Sequence, residues 1–161
     1  MNHTYFSHAR TALKVGLENL NFPKNTKILL PNFICNAVIH PIIQNNLRYT
    51  YYDLHDDLSP NYEDITSKID SDTRAIIIVH YFGKAQNINR IEEFCHKYKL
   101  IFIEDNSHGY KGSFINKELG TFGFFGISSP RKFLNVSCGG ILHKNKLTSI
   151  HHNIVKQYPT N

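Results

Sequence analysis

"KLIFIEDNS", residues 99–107, decides the fold class. Its apolar run is unbroken on both faces and ends abruptly in two acids. A strand with one face in water alternates apolar and polar side chains, whereas a strand covered on both faces of a parallel sheet does not. "RAIIIVHYFG" (74–83) repeats the pattern and ends at glycine. "KILLPNF" (27–33) is a third apolar run, stopped by proline, and "LRYTYYDL" (47–54) is rich in β-formers. All four read as central strands of a parallel sheet.

Helical patterns lie between them. Leu13, Leu17 and Leu20 fall at i, i+4 and i+7 within 10–20. In 87–98, Ile88, Ile91, Cys95 and Tyr98 form one apolar stripe and Asn87 is placed to cap it. Segment 61–69 reads as a shorter helix, and 35–45 as a buried helix that Pro41 bends or shortens. Strands alternating with helices of this length predict an α/β fold: three layers, a mostly parallel sheet, helices on both faces. Past Asp105 the texture changes. Residues 109–146 hold seven glycines and short β-like pieces, expected as strands and loops at one sheet edge, and a last helix is expected over about 146–156.

The 161 residues predict one domain, 1–161, and 41% hydrophobic content supports a sizeable core. The net charge of +5 is spread over scattered Lys and Arg, with no polybasic run, so nucleic acid is not the expected partner. Cys35, Cys95 and Cys138 are odd in number and far apart. They suit neither a disulfide scaffold nor a zinc site, and fit a reducing cytoplasm. The N-terminus lacks a signal-like apolar stretch, and no apolar window is long enough to span a membrane.

In an open α/β sheet ligands bind at the carboxyl ends of the strands. Glu104 and Asp105 sit at such an end and alternate faces, so only one of them enters a given crevice. A carboxylate there can cap a turn, ligate a metal, act as a base or pair with a cationic heterocycle. His108 follows Asp105 by three residues, but no ligand pattern surrounds it and no metal site is expected. "PNFICNA" after the first apolar run has no glycine, which removes a dinucleotide fingerprint, and neither a phosphate-binding P-loop nor a G-x-S-x-G elbow occurs.

What remains is Lys132, 27 residues after Asp105, in "SSPRKFLNVSCGG" (128–140). Its Ser, Pro and large apolar neighbours suggest half-burial, which an ammonium without a partner resists. Lys132 is therefore either a solvated loop residue or an amine kept for chemistry. Pyridoxal phosphate (PLP) uses such a pair: an amine that condenses with its aldehyde, and an aspartate that keeps the pyridine nitrogen protonated. Its phosphate needs a helix start and hydroxyls. "SHARTAL" (7–13) offers the first, and Ser128 and Ser129 the second.

"RTAL" at a helix start, then "LLPNF", "IIIVHYFG", "IEDNSHG", "GTFG" and S-x-x-K followed by "GG" come in an order that resembles the DegT/DnrJ/EryC1/StrS group. These are PLP-dependent sugar aminotransferases of fold type I. The resemblance covers about residues 5–145. It implies Lys132 as the cofactor lysine and proton shuttle, and Asp105 as partner of the pyridine nitrogen. His108 would lie near the ring, and the backbone amides of Ala9, Arg10 and Thr11 would hold the phosphate. Ser129, with Ser128 second, would be the phosphate-binding serine, and His80 would pack near the site. The implied substrates are an amino acid donor and a nucleotide-linked keto sugar, with a homodimer as the expected assembly.

Four features depart from the group's pattern. The stretch from Gly120 to Lys132 is two residues shorter, Phe124 stands where aspartate is usual, Ala9 replaces a glycine, and Cys35 occupies a position that often carries a stacking aromatic residue. Relatives with histidine in place of the lysine are dehydratases, so Lys132 points to transamination. Members of the group are more than twice this length and add a small C-terminal domain. On that resemblance the chain reads as an incomplete large domain. The alternative is an inactive remnant, or half of a split enzyme that associates with a complementary C-terminal part.

Overall fold

The computed structural model describes residues 3–147. The helix expected over about 146–156 falls almost wholly outside them. A seven-stranded sheet organises the chain in the order β1-β9-β8-β5-β4-β2-β3. The strands are β1 (His3–Phe6), β2 (Lys27–Pro31), β3 (Arg48–Tyr52), β4 (Thr73–Val79), β5 (Ile101–Asn106), β8 (Phe125–Ser128) and β9 (Gly140–His143). Two further short strands, β6 (Ser113–Phe114) and β7 (Lys117–Glu118), make a separate hairpin. From β3 to β8 every pairing is parallel, and β9 runs antiparallel to both β8 and β1.

Alternation along the strands sorts the core into two clusters. Ile28, Leu30, Ala75, Ile77 and Ile103 pack on one face against α1 (Ala9–Glu18) and α2 (Ile39–Gln44). Leu29, Ile76, Ile78 and Phe102 pack on the other, against α3 (Tyr62–Ser67) and α4 (Ile88–Tyr98). Consecutive side chains of one strand thus enter opposite layers, which is why these runs carry no polar face. The expected three-layer α/β architecture is the observed one.

Local signals act as their chemistry requires. Asn87 caps α4 by accepting from Arg90 N at 3.1 Å, and Asn61 caps α3 by accepting from Glu63 N and Asp64 N. Segment 35–45 splits into a 3₁₀ turn, Asn36–Val38, and the short α2, with Pro41 inside the first turn of α2, where its missing N–H costs nothing. That segment is only half buried: Val38, Pro41 and Ile42 face the core while Ile43 is exposed.

Two expectations need correction. Segment 47–54 is not a central strand. β3 lies at the sheet edge and only its last residue is buried, the β-rich composition serving a half-covered strand equally well. The glycine-rich part is not the opposite edge either, because β1 covers β9. β1 has only four residues and no apolar run, so local pattern did not reveal it.

Candidate active site

The carboxyl ends of β4, β5 and β8 and the start of α1 enclose a cleft of about 360 Å³. Asp105, His108, Ser129, Lys132, Ala9 and Arg10 all line it. These residues lie as much as 123 positions apart, from Ala9 to Lys132. The cleft also contains His8, Phe33, Cys35, Tyr81, Ser107 and Arg131.

Asp105 is the penultimate residue of β5 and has little exposure, and Ser107 N–H donates to its Oδ1 at 2.9 Å, fixing the carboxylate. Its charge reaches neighbouring groups. Burial, and then the Asp105 carboxylate, push the Tyr81 hydroxyl well above its ordinary range. His108 is pushed below its usual value by desolvation first and by Lys132 second, with Asp105 acting in the opposite sense. The amine and the carboxylate therefore act on one imidazole from within one cleft. The Nδ1 of His108 is buried and has no protein partner among the described residues.

Glu104 takes the opposite side of the strand. It is fully buried and accepts from Gly120 N (2.8 Å), Phe122 N (2.5 Å) and Gly123 N (2.7 Å). Its fourth contact is His80 Nε2 at 3.0 Å. Gln86 N–H donates to His80 Nδ1, so the ring proton sits on Nε2 and is donated to Glu104. His80 thus does more than pack. It joins Glu104 to the 3₁₀ turn Tyr81–Gly83, which carries cleft aromatics. In that turn Phe82 adopts a left-handed backbone, φ 54°, and lays its ring parallel to His108 at 6.0 Å. Tyr81 donates to Phe33 O at 2.6 Å and stacks on the Phe33 ring.

Two residues of the expected set lie apart from the cleft wall. Ser128 is on β8 with its side chain turned away from Ser129, and its hydroxyl meets His143 Nε2 at 2.8 Å. Strand alternation makes only one of the two serines available, and Ser129 is the one that lines the cleft. The N–H of Thr11 is already bonded to His8 O at 3.0 Å, which leaves those of Ala9 and Arg10 as the open amides of the helix start. Lys132 also differs from the half-buried setting expected for it. It ends an exposed 3₁₀ turn, Pro130–Lys132, and Phe133, Leu134 and Val136 after it are about half exposed.

Glycine sets the close approach at the helix start. A Cβ on Gly140 would overlap His8 C and Ala9 N, so β9 can lie against the entry to α1 only without a side chain there. The "GG" after the lysine is thereby a packing requirement. His8 and Arg131 line the cleft although residue pattern did not single them out, whereas Arg10 was expected there through its backbone amide. The signal was present only as two basic residues beside motif positions.

The family model described as the DegT/DnrJ/EryC1/StrS aminotransferase family matches residues 4–151. The chain belongs to that family. Among curated relatives, a GDP-perosamine synthase of Vibrio cholerae is 26% identical over 149 residues, covering 88% of this chain and 40% of its own. A GDP-4-keto-6-deoxy-D-mannose 3-dehydratase of Escherichia coli O55:H7 is 28% identical over 107 residues, 66% of this chain and 28% of the relative. The chain therefore spans less than half the length of these relatives. An aminotransferase of Helicobacter pylori involved in pseudoaminic acid biosynthesis superimposes with a TM-score of 0.81 at 20% identity, over 97% of this chain and 42% of that one. The Escherichia coli 3-dehydratase, solved with bound hydrated PLP, gives 0.79 at 24% identity over 90% and 40%. The fold is that of the PLP fold type I aminotransferases.

Proposed function

We propose that this family member holds PLP and serves an amino transfer from an amino acid donor to a keto sugar. The observation that carries the reading is that Lys132 and Asp105 line one cleft with Ser129 and the open start of α1. The donor set fits the cofactor: an amine for its aldehyde, a carboxylate for its pyridine nitrogen, and a helix start, a free serine hydroxyl and arginines for its phosphate. The Ser129 hydroxyl has no protein partner among the described residues.

Bound PLP supplies an electron sink that stabilises negative charge beside the transferred nitrogen. The chain's own groups supply the rest. Asp105, anchored by Ser107 N–H, keeps a positive nitrogen next to it protonated. Lys132, on an exposed turn, can swing and move a proton at the donor Cα. Buried Tyr81, with the Phe33 ring stacked on it, forms one apolar wall of the cleft. An amine at position 132 favours transamination over the dehydration named for some relatives. The three free cysteines fit a cytoplasmic enzyme, and among the described residues no helix is long and apolar enough to cross a membrane.

The test is a spectrum of the full chain with PLP, followed by borohydride and peptide mapping. A visible absorbance band and a label on Lys132 are expected. A folded sample with neither overturns the reading.

A second reading, that the chain acts through association with a second copy or a complementary C-terminal part, is favoured by one observation. Phe33, Phe82, Phe133, Leu134 and Val136 are 48–77% exposed on segments that form or adjoin the cleft. Apolar surface gathered this way marks contact surfaces. Sedimentation at micromolar concentration is expected to give a dimer or heteromer. A strict monomer that still takes up PLP removes it.

A further inference from the structure

Part of the cleft wall is loosely built. Pro31 at the end of β2 and Val38 at the end of the 3₁₀ turn Asn36–Val38 are both buried. Residues 32–37 between them form a strap in which Asn32, Phe33, Cys35 and Asn36 are exposed and Ile34 and Ala37 half-buried. Phe33, Ile34, Cys35, Ala37 and Val38 all line the cleft. Asn32 fixes one end of the strap: its N–H donates to Tyr52 O at 2.8 Å and its Nδ2 to Asp53 Oδ1 at 2.9 Å. At the other end Val38 N–H donates to Cys35 O at 3.0 Å, a bond internal to the strap and its turn. A segment with exposed backbone and few bonds to its surroundings opens at low free-energy cost.

Among the described residues, a single hydrogen bond ties residues 33–35 to another segment. The Tyr81 hydroxyl donates to Phe33 O at 2.6 Å, 48 positions away, and the two rings stack with centroids 5.6 Å apart. The two ends of this bond differ in rigidity. Tyr81 is 4% exposed and follows His80, which is held to Glu104 at 3.0 Å, whereas Phe33 is 56% exposed. Burial, and then the Asp105 carboxylate, raise the pKa of the Tyr81 hydroxyl, which therefore keeps its proton and stays a donor. The ring supplies the apolar contact, and the hydroxyl adds the bond to the strap.

We propose that Tyr81 is a positioning residue whose hydroxyl latches the strap 32–37 against the cleft, and that ligand enters and leaves when this latch breaks. The inference rests on the PLP reading and adds the route by which the cofactor reaches Lys132 and Asp105. The latch bond involves no atom of the ligand, so it favours the closed strap equally with the cleft empty or filled. It slows entry and exit by the same factor and leaves affinity unchanged. A residue that touches the ligand, or that merely supports the fold, changes affinity instead. One neutral hydrogen bond of this kind is worth about 5-fold in an equilibrium.

The full chain and its Tyr81→Phe variant, which keeps the stacked ring and loses the hydroxyl, are compared with and without ligand. Thermal midpoints check that the variant is folded. Without ligand, NMR relaxation dispersion at the amides of residues 33–35 reads the open population of the strap, expected to rise about 5-fold in the variant. Pyridoxamine phosphate, which has no aldehyde, then reports passage without the covalent step. Its association and dissociation rates are both expected to rise about 5-fold, with its dissociation constant changing less than about 2-fold. If the amides of residues 33–35 are as ordered in the variant as in the unaltered protein, the latch is overturned. If they loosen while both rates stay the same, the strap is no gate and the proposal is overturned. If dissociation alone accelerates and affinity falls in proportion, Tyr81 supports the bound ligand directly, and the latch is again overturned. If neither PLP nor pyridoxamine phosphate binds the unaltered protein but the amides loosen in the variant, the cofactor reading falls and the latch stands.

Discussion

Glu104 and Asp105 are chain neighbours that serve opposite sides of the sheet. Asp105 faces the cleft, and Glu104 is sealed behind it by three backbone N–H groups and His80. Strand alternation makes this division unavoidable. Glu104 pins the loop 120–123 and the turn after β4, and Asp105 is left facing the cleft.

Glu104→Gln is expected to destabilise the fold by about 2 kcal/mol, because an amide NH₂ then confronts backbone donors. Glu104→Ala should cost more, about 4 kcal/mol, by stranding several buried donors. Urea unfolding measures both. A loss under about 1 kcal/mol for the alanine variant contradicts the hub.

Gly140→Ala forces a methyl group into His8 and Ala9. Overpacking of this kind costs about 1–3 kcal/mol. It should also displace the start of α1 and weaken PLP binding more than the same change at an open surface glycine. Crystal structures or amide shifts around residues 8–10 show whether the helix start moves.

Lys132→Ala should leave stability within about 0.5 kcal/mol, since the side chain is exposed and has no ion pair among the described residues. The borohydride-fixed label should disappear completely. A lowered thermal midpoint would show that Lys132 has a structural role instead.

His143 is buried, and desolvation, with a smaller contribution from His3, lowers its pKa from 6.5 to about 4. The folded state therefore binds this proton less readily than the unfolded chain does. Stability should be full above the unfolded value and fall as pH drops from 6.5 toward 4, by about 3 kcal/mol in total, then level off. Denaturant midpoints across that window, compared with those of His143→Gln, test the assignment. Parallel curves for the two proteins would rule it out.

Thiol reactivity should follow position. Cys95 is buried and its thiol is pushed up to about 12, chiefly by desolvation, so it should react only on unfolding. Cys35 and Cys138 are exposed and should react in the folded protein, and PLP should slow Cys35 alone because that residue lines the cleft. Equal protection of both cysteines would place the ligand elsewhere.

Local pattern alone determined the layers, the parallel central strands and the cap at Asn87, because burial on two faces and helix-end hydrogen bonding leave their marks within a few residues. The order of motifs brought out Lys132, Asp105 and His108, since residues at strand ends and turns keep fixed places relative to the runs beside them. Only the folded chain decided which of Ser128 and Ser129 faces the cleft, that Glu104 is locked behind Asp105, and that Arg10 and Arg131 line one cleft. Each of these depends on contacts between segments far apart in sequence, such as Gly139 with Ser7 or Gly120 with Glu104. Side-chain facing and long-range charge are properties of the assembled sheet, and no window of neighbouring residues contains them.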